Sequence, residues 1–346
     1  MIQETRKILI IGGITWRETD HPRLGGTTVL MDNFIDYCIK HHVPHVVIPT
    51  NKYYGSLAGV RNLLIVLSGL IKQAKRGDVA MVNVSSKPGL ITLFPIVELF
   101  SHVLGSQVVC RQFAGSVHKY LDAKRYRKRI ALHYLKKTKV SFFETEELLK
   151  WFENNGFKAV WFPNVRKSSG LMVSKLYEKR LVFLAQVYED KGVDILLRIS
   201  NRLPSDYQID IFGPITSKKY TEEYFKQFRA QYKGTLKPDE VAKTLAQYNI
   251  MVFPTWWHSE GYPGVIIEAF SVGMPVISTR QGGIPELIVD GESGLLTDVK
   301  DEDAFEDAIL SINQKRYEEL CIGAMKRFEA YNSELVNPRI VSIILD

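Results

Sequence analysis

The chain is predicted to fold as two successive doubly wound α/β domains, each a parallel sheet covered by helices on both faces. Three observations carry that expectation. Buried-strand runs alternate with helical patterns over residues 7–165, the alternation stops in a polar stretch at 166–179, and it starts again from Leu181. Strands separated by helices are expected to run parallel, because each crossover brings the chain back to the same end of the sheet. A chain of 346 residues is long enough for two domains, each with its own core.

The elements follow in order. Lys7–Gly12 (KILIIG) reads as a buried strand, followed by a loop with Gly25 and Gly26 and a helical pattern over Thr27–His41. His45–Ile48 and Val79–Val84 are strands, with a helix at 60–75 between them and an apolar helix at 89–104 after them. Gln107–Arg111 is a strand, 119–137 a basic helix, and Val140–Phe143 and Val160–Phe162 close the first set. Arg166–Lys179, with Ser168, Ser169 and Gly170, is the expected linker. The second set holds strands at Leu181–Ala185, Ile209–Phe212, Ile250–Phe253 and Val276–Ser278. Its helices are expected at Val193–Leu203, 218–231, 238–247, 263–273 and Ala304–Asn313, before a terminal helix. Ligands of such sheets bind at the carboxyl ends of the strands, so two such domains are expected to hold a site between them.

The net charge of +7 is concentrated. Residues 119–139 carry nine Lys or Arg against one Asp, a net of +8, so the rest of the chain sums to −1. That excludes a general affinity for polyanions and marks one basic segment. Its apolar positions Tyr126, Ile130 and Tyr134, with Leu121 and Leu135 beside them, make a basic amphipathic helix. Such a helix suits an anionic membrane surface or a solvated face packed on a sheet. A nucleic-acid-binding helix is the alternative from another class, disfavoured because no aromatic platform is interleaved with the charge. Cys38, Cys110 and Cys321 lie far apart without metal-ligand or redox spacing and read as reduced thiols. No signal-peptide pattern is evident, and the longest apolar stretch, Pro88–Ser106, is interrupted by Pro95, Glu98 and His102. The expected location is cytoplasmic, with peripheral contact at the inner face of the plasma membrane.

Most of the chemistry lies in residues 253–296, FPTWWHSEGYPGVIIEAFSVGMPVISTRQGGIPELIVDGESGLL. Glu260 and Glu268 are separated by seven residues. The first closes a loop and the second falls early in a helix beginning near Pro263. Gly261 and Gly264 leave backbone N–H groups open there, a place that suits a diphosphate. A Glu a turn further on can accept hydrogen bonds from a ribose diol. Gly273-Met274-Pro275-Val276, Gly282-Gly283-Ile284-Pro285-Glu286 and Gly291-Glu292-Ser293-Gly294-Leu295-Leu296 follow in order.

This succession resembles that of family-4 retaining glycosyltransferases, the bacterial group 1 enzymes with the GT-B fold of two Rossmann-like domains facing a central cleft. The resemblance is dense over about 180–300 and weaker but collinear over 7–165. It implies an acceptor-binding domain over 1–165, joined by a terminal helix at about 328–346, and a nucleotide-sugar-binding domain over 180–327. It gives Glu268 the ribose hydroxyls and Glu260 the donor sugar's hydroxyls at the reacting face. Gly261, Tyr262, Pro263 and Gly264 would hold the diphosphate and part of the sugar. Lys191, in Glu189-Asp190-Lys191-Gly192, resembles the family's phosphate-binding Lys, and Gly25-Gly26 its loop at the first helix.

Two positions depart from the family. Gln186 stands where an Arg is usual, and no His occupies the turn after Val108–Gly115, leaving His118, a few residues later, and Arg111 as candidates there. Asp301-Glu302-Asp303 spells the Asp-x-Asp metal motif of another fold, but here it is expected to open a helix, and no metal is implied. The implied function is retaining, metal-independent transfer of a hexose-type sugar, with a UDP-sugar as the favoured donor and no cofactor. The acceptor would be a glycan or a lipid-linked hydroxyl in bacterial surface polysaccharide assembly. A GT-B epimerase or phosphorylase is the enzymatic alternative, and no Lys is placed for a pyridoxal Schiff base.

Overall fold

The computed structural model describes residues 6–14, 26–53, 57–113 and 115–346. The chain divides into two compact units, Met1–Val165 with Ser333–Asp346, and Arg166–Asn332.

Unit 1 contains β1 (Ile8–Gly12), α1 (Gly26–Lys40), β2 (His45–Pro49), α2 (Ala58–Gln73), β3 (Val79–Val84), α3 (Leu93–Val103) and β4 (Gln107–Gln112). It continues through α4 (Val117–Asp122), α5 (Arg125–Leu135), β5 (Val140–Phe143), α6 (Glu146–Asn154) and β6 (Ala159–Trp161). Its six strands are all parallel in the order β2-β1-β3-β4-β5-β6. β1 and β3 are buried along their whole length, as a parallel strand covered on both faces must be. On one face Ile8, Ile10, Met81 and Val109 pack with Leu30 and Phe34 of α1. On the other, Leu9, Ile11, Val82 and Cys110 pack with Val66 and Leu70 of α2, Phe94 and Val97 of α3, and Ala131 and Leu135 of α5.

Unit 2 contains β7 (Arg180–Leu184), α7 (Val193–Arg202), β8 (Gln208–Phe212), α8 (Glu222–Phe225), β9 (Gln231–Tyr232), α9 (Val241–Leu245) and β10 (Ile250–Phe253). Then come α10 (Gly264–Phe270), β11 (Val276–Thr279), α11 (Ile284–Leu287), β12 (Gly294–Thr297), α12 (Glu302–Leu310) and α13 (Gln314–Phe328). These six strands are also parallel, in the order β12-β11-β10-β7-β8-β9. The final helix, α14 (Ser333–Leu345), belongs to unit 1, where Val336, Ile340 and Ile344 are buried beside α1.

Several expectations need correction. The basic segment is two helices, not one: Lys124 takes an extended backbone between α4 and α5. Its apolar side is not free either, since Leu121, Ala131 and Leu135 are in the core and only Tyr126 of the named positions is well exposed, at 57%. The helices placed at 218–231 and 238–247 shrink to α8 and α9, four and five residues long. Residues 166–179 are held against unit 2, with Val173 N donating to Val272 O at 3.0 Å and Tyr317 Oη to Ser174 O at 2.7 Å. Asp301-Glu302-Asp303 opens α12. Asp301 caps it by accepting from Ala304 N at 2.9 Å, while Glu302 and Asp303 pair with Arg198 and Arg202.

Candidate functional site

In unit 2 the chain runs outward from β7 through β8 to β9, then returns to the other side of β7 as β10. The connections leaving β7 and β10 therefore start where the strand order reverses, at the carboxyl ends of the strands, the place where ligands of such sheets bind. The β7 connection carries Gln186, exposed, and Lys191 in a single tight turn over Glu189–Lys191. The β10 connection runs from Pro254 to Pro263 and ends at α10.

The two connections are bonded to each other. Trp256 N donates to Asp190 O at 2.8 Å and Trp256 Nε1 to Asp190 Oδ1 at 3.1 Å. Gly192 has φ +79° and begins α7, and a Cβ built there would lie 2.1 Å from Pro254 O. Only glycine accepts both that backbone and that approach.

Within this frame Lys191 Nζ pairs directly with Glu260 Oε1. The two side chains are 13% and 8% exposed, so the pair is largely withdrawn from water. Thr255 Oγ1 lies 3.0 Å from Glu260 Oε1, and the rings of Phe253 and Tyr188 stand 5.5 and 5.9 Å from the ammonium. Burial, and then the charges of Glu260 and Asp190, push the Tyr188 phenol up to about 12, so it stays protonated at neutral pH. Behind Glu260 the Gly282-Gly283 turn fits closely. Gly282 has φ +53°, its Cβ would meet Glu260 O at 2.2 Å, and Gly283 N donates to that oxygen at 3.3 Å.

Glu268 lies on α10, where its Oε1 accepts from Arg166 Nε at 2.7 Å, the two side chains being 22% and 10% exposed. The sequence places Arg166 in the polar linker, and no local signal ties it to a Glu 102 residues away. A carboxylate has about four acceptor sites, so Glu268 keeps capacity for further donors. Tyr262 is buried and donates to Glu286 Oε2 at 2.6 Å, which makes its side chain an anchor of the loop. Pro263 caps α10 and Gly264 is its first residue; Gly261 precedes them in the same loop. With seven residues, α10 is a short dipole, so backbone N–H groups count for more here than the helix field.

In unit 1 the candidates are more deeply buried than the sequence suggested. Gly25 lies outside the described residues, and Gly26 starts α1. Arg111, at the end of β4, is 1% exposed, with its guanidinium 3.4 Å from the centre of the Phe162 ring and 4.6 Å from that of Phe113. Nη2 reaches Pro163 O at 3.4 Å, and Nε and Nη1 have no partner. Burial brings Arg111 down to about 9, against the opposing pull of Glu144. Next to it Gln112 is equally buried with both amide atoms unpartnered, and on β3 Asn83 leaves its Oδ1 unpartnered. Sequence reading singled out neither; both sit in runs that look purely strand-forming.

His118 is 7% exposed on α4, with Nε2 3.0 Å from Glu147 Oε1 and Nδ1 unpartnered. Burial lowers its pKa, and Glu147 acts against that shift. A histidine held neutral in the fold gains its proton on unfolding near the ordinary value of about 6.5. The unfolded state then binds more protons below that pH, so stability falls as pH drops through it and is flat above. Thermal midpoints of His118→Asn between neutral and mildly acid pH are expected to fall less steeply than those of the wild type. Parallel curves would place the acid sensitivity on other groups.

The six-stranded units, the order reversal and the paired loops define a doubly wound α/β architecture, and comparison with known proteins gives the class. Residues 178–315 match the family described as glycosyl transferases group 1. HepE of Anabaena, solved in complex with UDP, aligns with a TM-score of 0.73 at 14% identity, covering 97% of this chain and 98% of HepE. Sucrose-phosphate synthase of Thermosynechococcus elongatus aligns with a TM-score of 0.73 at 16% identity, covering 98% of both. The fold is GT-B. Residues 178–315 are a group 1 glycosyltransferase domain.

Sequence relatives agree with that assignment. Sulfoquinovosyl transferase SQD2 of Arabidopsis thaliana is 32% identical over 118 residues, 34% of this chain and 22% of the relative. A GDP-mannose-dependent alpha-mannosyltransferase of Corynebacterium glutamicum is 33% identical over 169 residues, 46% of this chain and 39% of the relative. The chain thus spans well under half the length of either.

Proposed function

We propose that this protein is a retaining glycosyltransferase that moves a hexose-type sugar from a nucleotide diphosphate sugar to a hydroxyl acceptor. The observation that carries the reading is the buried Lys191–Glu260 pair at the β7/β10 reversal of a group 1 glycosyltransferase domain. In the proposed reaction the acceptor oxygen bonds to the anomeric carbon as the bond from that carbon to the diphosphate oxygen breaks. The departing phosphate takes the acceptor proton on the same face of the sugar, so configuration is retained without a protein nucleophile. Lys191 would neutralise the charge that grows on the leaving diphosphate, in place of a metal. A diphosphate that draws Lys191 to itself would release Glu260 to accept from the sugar's hydroxyls. Unit 1 would hold the acceptor, for which a glycan or lipid-linked hydroxyl of bacterial surface polysaccharide assembly is the proposed class. The basic 119–139 segment is proposed to bring the enzyme to the inner face of an anionic membrane.

The UDP complexes of HepE support a uridine donor, while the mannosyltransferase relative uses GDP-mannose. A thermal-shift panel of UDP-, GDP- and ADP-sugars separates them, since a ligand at 100 times its Kd stabilises the fold by about 2.7 kcal/mol. No shift with any nucleotide sugar would count against the reading.

Glu268 is proposed to bind the ribose. Removing its side chain would take this carboxylate away from Arg166, which is only 8% exposed, so Glu268→Gln is the cleaner probe. Hydrogen bonds to a charged group contribute about 1.5–3 kcal/mol. Calorimetry is expected to show nucleoside diphosphate affinity reduced by about 10- to 100-fold. Unchanged affinity would remove Glu268 from the donor site.

A further inference from the structure

Helices α2, α3 and α5 lie side by side on one face of the first sheet, α2 against α3 and α3 against α5. Val66 and Leu70 of α2, and Phe94 and Val97 of α3, face the core. The opposite sides are not polar. On α2, Val60, Leu64 and Ile71 are 61%, 60% and 60% exposed; on α3, Ile96, Leu99 and Val103 are 40%, 53% and 75% exposed. Steps of three, four and seven residues put each set on a single stripe of its helix. Two neighbouring helices therefore each carry an exposed aliphatic stripe, and together they mark an interaction face.

The exposed charge carried by α2 and α5 themselves is cationic. α2 and α5 contain no Asp or Glu, and the single acid of α3, Glu98, is 2% exposed and buried on the core side. Lys124, Arg125, Arg129, Lys136 and Lys137 are exposed on and around α5, beside the strip. The arrangement answers the question left by the basic segment, whose own apolar residues are used by the core. The cations and the apolar anchor are on different, adjacent helices.

We infer that the α2–α3 strip enters the acyl boundary of an anionic bilayer while α5 lies in its headgroup layer. This inference rests on the reading of residues 119–139 as a membrane contact and adds the part of the protein that penetrates. Charge complementarity selects the occupant. A second copy of the chain offers the same predominantly cationic border, in which the exposed acid Asp122 is already paired with Lys128, and would set like charge against like. Anionic lipid supplies the opposite charge and an apolar layer beneath it.

Co-sedimentation with vesicles of phosphatidylcholine alone, and of equal parts phosphatidylcholine and phosphatidylglycerol, tests this at low and high salt. The apolar variant is Leu64→Gln/Leu99→Gln/Val103→Gln, all exposed positions, with a wild-type melting temperature as the folding control. The cationic variant is Lys124→Gln/Arg125→Gln/Arg129→Gln; Lys128 is left in place because it pairs with Asp122 at 2.9 Å. The wild type is expected to bind the anionic vesicles, losing part of that binding in high salt. The apolar variant is expected to bind at least about tenfold more weakly at either salt, and the cationic variant to lose the salt-sensitive part. Quenching of Leu99→Trp by brominated lipid would show insertion directly. If the apolar variant binds like the wild type and Leu99→Trp is not quenched, contact is by charge alone. The strip then stays in water and the inference fails while the membrane reading stands. If no protein binds anionic vesicles, both fail. A wild-type dimer by light scattering that the apolar variant converts to monomer would overturn the inference in favour of self-association.

Discussion

Lys191→Ala is expected to lower turnover by about 100-fold or more, the effect of removing one preorganised charge donor from a developing anion. Three features of the site push the figure up. The Lys191 side chain is only 13% exposed, so the field of its charge is little screened by water. The rings of Phe253 and Tyr188 line its surroundings and exclude solvent from that side. Gln186 occupies the place where the resemblance implies a second cation, so Lys191 carries the charge there. The same substitution leaves Glu260 buried, at 8% exposure, without its partner, and breaking a buried pair costs about 3–5 kcal/mol. The variant should therefore also melt earlier. Lys191→Ala/Glu260→Gln separates the two effects: it should recover much of the stability and none of the turnover. Steady-state kinetics with the donor found in the nucleotide-sugar panel provide the measurement. Turnover of Lys191→Ala within a few-fold of the wild type would exclude Lys191 from the leaving-group role.

Gly192→Ala is expected to lower the melting temperature by about 5–15 °C. An L-residue at φ +79° is strained by about 1 kcal/mol relative to glycine. The added methyl would also lie 2.1 Å from Pro254 O, a backbone atom that cannot turn aside, and overpacking of this kind costs about 1–3 kcal/mol. Each kcal/mol moves the midpoint of a domain this size by about 2–4 °C. The β10 connection would have to withdraw, taking Trp256 from Asp190 and Glu260 from Lys191, so turnover should fall further than stability alone explains. Gly156→Ala is the control, with φ +80° and no atom within 4 Å of its Cβ. If both variants melt alike, the close approach to Pro254 contributes nothing.

What the sequence made legible was what depends on neighbours in the chain. β1, β3 and β10 are short, mostly apolar runs that become wholly buried strands, and their pattern is visible without any partner. β9 was not visible: it is two residues, Gln231 and Tyr232, whose pairing with β8 decides their conformation. β12 begins at a glycine, in a run where the sequence names no strand; its place beside β11 comes from tertiary packing. α6 could have been found, since Thr145 caps it by accepting from Leu148 N at 3.3 Å, and Leu148 and Phe152 repeat at helical spacing. In the candidate site, the spacing of Glu260 and Glu268 is local and readable. The partners of those carboxylates are not, because Lys191 is 69 residues from one and Arg166 is 102 from the other. Treating Arg166 as linker followed from its polar neighbours in sequence; in space its neighbour is α10.

The return of α14 to unit 1 has a consequence for the order in which the protein can be built. Val336, Ile340 and Ile344 fill the face of the first sheet covered by α1, and Glu334 binds Lys40 at 2.8 Å and His41 at 3.0 Å. Lys139 donates to Ile344 O at 3.0 Å and Arg339 to Trp161 O at 3.2 Å. None of these contacts exists when residues 1–165 leave the ribosome, because 167 residues of unit 2 are translated before the helix that completes them. Domains generally fold as units during synthesis, the first one earliest. Here the domain that begins first must wait with an apolar face uncovered, while unit 2, continuous in sequence, can close on its own. A helix made only after the whole of unit 2 is therefore the step that finishes unit 1.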